Sequence, residues 1–160
     1  MAKQKKEQLF MGILPFIGVI LFLIDMLFTH FDPTSAVWKR SVVLDGVTDM
    51  IGWAGIGAGI AHIFFGEKTS QSIGFQHNPY QLEVGFCDLS FGIVGLLAAS
   101  HPPEFWLAII LFSSLYRFGC GIGHTYEMIK NKNYAVNNTA ILFINFVVPI
   151  FLLTAYYKLL

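Results

Sequence analysis

The sequence predicts an all-α integral membrane bundle of five transmembrane helices, or four if the first span is peripheral, in one polytopic domain over residues 1–160. Three observations carry this expectation. Hydrophobic residues fill 55% of the 160 positions and charged residues 12%, about half the charge of an average soluble domain. Five stretches reach the roughly 20 mostly apolar residues that a bilayer-spanning helix needs. Short clusters of turn formers and charges separate them. This composition excludes a disordered chain, a soluble globular domain and a basic nucleic-acid-binding face. Ten Lys and Arg balance ten Asp and Glu, so net charge implies no charged partner.

The first span covers about residues 9–31 and stops at Asp32-Pro33-Thr34-Ser35. Lys3, Lys5 and Lys6 ahead of it resemble a signal peptide, but Pro15 and Asp25 interrupt the apolar run and no small-residue cleavage pattern follows, so it reads as a retained span. The second span covers about residues 41–65 and ends at Gly66-Glu67-Lys68-Thr69-Ser70. His77-Asn78-Pro79 precedes the third, about residues 80–99. Ser100-His101-Pro102-Pro103 turns the chain into the fourth, about residues 104–129. Lys130-Asn131-Lys132-Asn133 leads to the fifth, about residues 139–157. Trp38, Trp53, Trp106, Tyr80, Tyr156 and Tyr157 fall mostly near span ends and suit an aromatic belt. With the N-terminus inside, Lys3, Lys5, Lys6, Lys68, Lys130 and Lys132 face the cytoplasm against Lys39, Arg40 and Lys158 outside. Six against three predicts a cell-membrane protein with N-terminus in and C-terminus out.

An ionisable residue inside a span costs roughly 2.5–3.5 kcal/mol near the helix centre on insertion scales. This chain keeps Asp25, Asp45, Asp49, His62, Glu83, Asp88, Arg117, His124 and Glu127. His62, Glu83, His124 and Glu127 come from three spans and converge on one depth, near the inner leaflet. At 100° per residue, Ser113, Arg117, Cys120, His124 and Glu127 share a wedge of about 80°. Thr48, Gly52, Gly55, Gly59 and His62 form a second stripe, in which Gly55-x-x-x-Gly59 invites close helix approach. Glu83 and Cys87 share a face, and Asp88 points about 140° from Glu83 toward a separate contact.

Imidazole and carboxylate are the usual ligands of zinc and non-haem iron. His62, Glu83, His124 and Glu127, with Cys120 as a possible thiolate, are the candidate metal ligands. Fe or Zn is expected ahead of Cu or Mn, with metal-assisted redox or hydrolytic chemistry. Only two carboxylates are well placed, so a mononuclear site fits better than a di-iron one. The carboxylates beside His62 and His124 argue against haem. The competing structural reading is a polar network that orients the helices. Arg117 is the one cation deep in a span. It needs a partner, either a substrate anion or a carboxylate from Glu83, Asp88, Asp45 or Asp49. Asp25, Asp45 and Asp49 form a second cluster, the alternative proton or cation path. Cys87 and Cys120 make no C-x-x-C pair and suggest no redox centre.

The run from Ile51 to His62, then Pro79-Tyr80-Gln81-Leu82-Glu83-Val84-Gly85 and Gly123-His124-Thr125-Tyr126, resembles a prokaryotic family of small multi-pass membrane proteins of unknown function. The resemblance covers about residues 50–150. It implies the multi-pass architecture and singles out His62, Glu83 and His124; it implies no activity. Whether the chain is an enzyme stays open at this stage. The alternatives are a non-catalytic subunit that packs into a homo-oligomer or a larger membrane complex through its glycine faces, and a proton or cation carrier. The bilayer is the expected partner in each case.

Overall fold

The computed structural model describes residues 13–160. Five helices make up the described chain, with no strand among the described residues. They are α1 (Leu14–Phe28), α2 (Ala36–Ser72), α3 (Tyr80–Ser100), α4 (Pro103–Lys130) and α5 (Val136–Leu159). The last four are long and apolar enough to cross a membrane; the described part of α1 is a shorter apolar helix. The all-α bundle is therefore as expected. The basic residues Lys3, Lys5 and Lys6, on which the predicted orientation leans, lie outside the described residues.

Local chemistry sets most helix ends. Ser35 caps α2 by accepting from the Val37 and Trp38 amides, which meets two of the orphan donors of a helix start. Pro79 precedes α3 and Pro103 opens α4, positions where a missing N–H costs nothing. Gly74 turns the chain after α2 with φ of +73°, a conformation open to glycine. Asn133 then holds that turn by donating from Nδ2 to Ile73 O at 2.8 Å.

One expected break is absent. Gly66-Glu67-Lys68-Thr69-Ser70 does not end the second span, because α2 continues to Ser72 through a kink at Phe65 (φ −129°, ψ 27°). The kink opens the ladder, and the Thr69 hydroxyl bridges the gap by donating to Ala61 O at 3.1 Å and Phe65 O at 3.0 Å. A side chain inserted into the ladder is a recognised cause of a kink.

Glycines set how α2 and α3 pack. A Cβ on Gly55 would sit 2.7 Å from Gly92 Cα, and one on Gly59 would sit 2.9 Å from Leu89 Cβ. Lipid gives helices no hydrophobic drive to associate, so such backbone approach is what van der Waals attraction can exploit.

The two ends of the bundle differ. Toward the α1–α2 loop, Val43, Val47 and Ile51 of α2, Trp106 and Ile110 of α4 and Leu152 of α5 form a fully buried apolar core. Trp106 thus departs from the expected belt. It is wholly buried, its Nε1 donates to Ala98 O at 2.7 Å, and the Arg40 guanidinium covers its ring at 4.4 Å. Toward the α2–α3 loop the bundle is hollow.

Candidate functional site

The hollow end holds a cavity of about 360 Å³ lined by all five helices and the loop after α2. Its walls are mainly apolar, among them Leu14, Pro15, Ala54, Ala58, Ala61 and Ile141. Polar residues also line it, His62, Asp88, Arg117, Cys120, His124 and Asn145 among them. A mostly apolar space of this size with a handful of convergent polar groups is the usual form of a small-molecule site.

Arg117 is 6% exposed. The sequence leaves it in want of a carboxylate, but the structure gives it two backbone carbonyls instead. Nη2 donates to Met50 O at 2.6 Å and Nη1 to Ile144 O at 3.3 Å. Both acceptors lie in π-helical segments, Thr48–Trp53 of α2 and Phe143–Val147 of α5. The Ala54 N–H would bond Met50 O in an α-helix; here it turns to Asp49 O and Ile51 O. Pro149 stands five residues after Ile144 and has no N–H to return. Each π segment thus leaves a carbonyl short of its backbone donor, and one guanidinium serves both. π segments of this kind often mark functional sites.

The two histidines are held alike, each through Nδ1. His62 Nδ1 lies 2.7 Å from Gln81 Oε1, and His124 Nδ1 lies 2.7 Å from Asn138 Oδ1. Each amide is oriented by its far side. Gln81 Nε2 donates to Ser70 Oγ, whose own hydrogen goes to Gly66 O at 2.9 Å. Asn138 Nδ2 donates to Asn133 O at 2.9 Å, and a carbonyl can only accept. Both amide oxygens must therefore accept from Nδ1–H, and in the neutral ring each Nε2 then carries the lone pair. His62 Nε2 lies 3.9 Å from Asp88 Oδ2. The Phe75 ring stands over His124, centroids 5.3 Å apart.

Two buried donors in this region have no partner: Arg117 Nε and Asn145 Nδ2. Leaving a buried polar group unpaired costs about 1–3 kcal/mol, so a pair of them beside a cavity calls for an account.

The structure brings His62, Asp88, Arg117, Cys120 and His124 to this cavity and leaves Glu83 and Glu127 out of it. Glu83 is exposed, and Glu127 accepts from Asn131 Nδ2 at 2.8 Å near the end of α4. Glycine packing is the reason for the first. Gly85, Gly92 and Gly95 must face α2, which turns Asp88 inward and Glu83 to the opposite side. The charge pattern alone puts Glu83 among the converging residues and Asp88 on a separate contact; the glycine packing reverses the two. Among the described residues no group of three or more His, Cys, Asp and Glu is placed to hold a metal ion. The expected four-ligand set is therefore not assembled.

Asp25, Asp45 and Asp49 lie within electrostatic reach of one another but line a different part of the bundle. Asp49 is buried and its Oδ2 has no hydrogen-bond partner. The sequence reading gave no role to Gln81, and none to Asn138 and Asn145 beyond their place on the fifth span. An uncharged amide inside an apolar span was the available signal, since it too must find a partner there.

A family model described as "Family of unknown function (DUF6790)" matches residues 8–158. No curated protein and no solved structure matches the chain.

Proposed function

The chain belongs to this family of unknown function, and we propose that its helices enclose a binding site, within the bilayer, for one small and largely apolar molecule. The observation that carries this reading is the 360 Å³ cavity itself, whose wall is mainly apolar and is met by His62, Asp88, Arg117 and His124 from three helices. The lone pairs on His62 and His124 Nε2 add acceptors to the same enclosure. The orientation that fits this reading keeps Lys68, Lys130 and Lys132 on the cytoplasmic side and Lys39, Arg40 and Lys158 outside, so the cavity opens nearer the cytoplasm.

Gly123 offers a clean test. It lines the cavity, and a Cβ there meets nothing within 4 Å. Gly123→Leu should fill space at the rim while the helix gains propensity. Native mass spectrometry of protein mixed with decanol is expected to show a one-to-one adduct on the wild type and at least tenfold less on Gly123→Leu. Equal adducts on both proteins would refute the binding site.

A further inference from the structure

The head group this cavity takes follows from which polar atoms are open to it and what charge they carry, given the binding site just proposed. Arg117 Nε and Asn145 Nδ2 are fully buried atoms, so a guest does not meet them. Arg117 gives Nη2 to Met50 O and Nη1 to Ile144 O. Other lining donors are spent inside the protein. The Thr69 hydroxyl goes to Ala61 O and Phe65 O, and Gln81 Nε2 goes to Ser70 Oγ. The Tyr116 hydroxyl has one hydrogen, with Asp88 and Cys120 both beside it to take it.

The open groups are acceptors. His62 and Asp88 both line the cavity, and their side chains are 20% and 7% exposed. With the ring neutral and the carboxyl ionised, His62 Nε2 turns a lone pair toward Asp88 Oδ2 across 3.9 Å. That is beyond hydrogen-bond length, and neither group brings a hydrogen to the gap. His124, tied to Asn138 through Nδ1, adds a third acceptor at Nε2. Asp88 is also the electrostatic partner of Arg117, so with neutral histidines these two charges offset each other. Glu127 acts on His124 from outside the cavity. An anion would meet Asp88 and a cation would meet Arg117, in a medium that screens poorly. An ether would bring one more acceptor to a set of acceptors. We infer that the cavity selects a neutral hydrogen-bond donor, an aliphatic alcohol, whose hydroxyl hydrogen enters the gap between His62 Nε2 and Asp88 Oδ2. Its chain lies along the apolar wall of Leu14, Pro15, Ala54, Ala58 and Ile141.

Decanol, 1-methoxydecane, perdeuterated decanoate and decyltrimethylammonium share a ten-carbon chain and differ in head group. Offered together in equal amounts to the whole protein in mild detergent at pH 8, their adducts separate by mass. The wild type should carry decanol at least tenfold over each of the others. In Asp88→Asn the new amide can donate to His62 Nε2 itself and close the gap, so the decanol-to-ether ratio should fall severalfold toward one. Ether equal to decanol in the wild type, a preferred decanoate or ammonium, or an unchanged ratio in Asp88→Asn would overturn the alcohol assignment. The wild-type comparison decides the matter alone if Asp88→Asn fails to fold. If decanol and ether bind equally and both depend on Gly123, the cavity reading survives that failure. No adduct from any of the four probes would overturn both.

Discussion

Gly92→Ala puts the packing of α2 on α3 to a quantitative test. A Cβ at Gly92 would lie 2.6 Å from Ile56 N, 2.8 Å from Gly55 C and 3.0 Å from Gly52 O. Non-bonded carbon prefers about 3.5–4.0 Å, so the two helices must part by about 1 Å at this level. Every atom in the way is backbone, and no rotamer can relieve the clash. Overpacking costs about 1–3 kcal/mol, and the upper end applies here. Alanine returns at most about 1 kcal/mol of helix propensity over glycine. The expected net loss is about 2 kcal/mol, which lowers the folded-to-unfolded ratio by roughly 30-fold. Gly119 is the matched control, because a Cβ there meets nothing within 4 Å; Gly119→Ala should be neutral or stabilising. Reversible unfolding in mixed micelles, followed by helical circular dichroism, reads both. A Gly92→Ala protein as stable as Gly119→Ala would refute the glycine-contact account of how α3 is rotated, and with it the inward placement of Asp88.

Further predictions bear on the polar groups. Arg117→Met leaves Met50 O and Ile144 O without donors and should cost about 1–3 kcal/mol for each; Arg117→Lys, able to serve one of them, should fall between it and the wild type in the same assay. Asn138→Leu deprives His124 Nδ1 of its acceptor and Asn133 O of its donor, and a loss of about 1–3 kcal/mol per stranded group is expected. In the α1–α2 loop, the hydroxyl and amide of Thr34 both donate to Asp32 Oδ1 and hold that carboxyl below its ordinary 3.8. Its contribution is therefore present above pH 3.8 and fades as pH falls through the lowered folded value. Thr34→Ala should move the Asp32 titration back up, as read by carboxyl-carbon NMR; an unmoved titration would deny the hydrogen bonds.

Much of this architecture is legible in the residues alone, because a span needs length and apolarity and a break needs turn formers. Spans three and four come within a residue or two of α3 and α4. The glycine stripe on the second span, Gly52, Gly55 and Gly59, does pack as its spacing implies. The complementary stripe of Gly85, Gly92 and Gly95 is equally visible and turns Asp88 inward, whereas the charge at Glu83 points the helix the other way. The carbonyl partners of Arg117 were not legible. They exist because two helices slip into π register, and register shifts leave little trace in composition beyond Pro149. Glycine next to charges reads as a turn, so the sequence ends the second span at Gly66, while Thr69 shows how one hydroxyl carries the helix past the kink. The cavity itself is a difference between packed and unpacked volume, which no linear pattern encodes.

Photolabelling tests the binding site most directly. A decanol analogue carrying a diazirine on its chain, activated on the whole protein and mapped by peptide mass, should mark cavity residues such as Ala58, Ile141 and Ile144, and excess decanol should suppress those labels. Labels confined to outward-facing residues such as Ile93, Leu115 and Ile122, insensitive to decanol, would contradict the account.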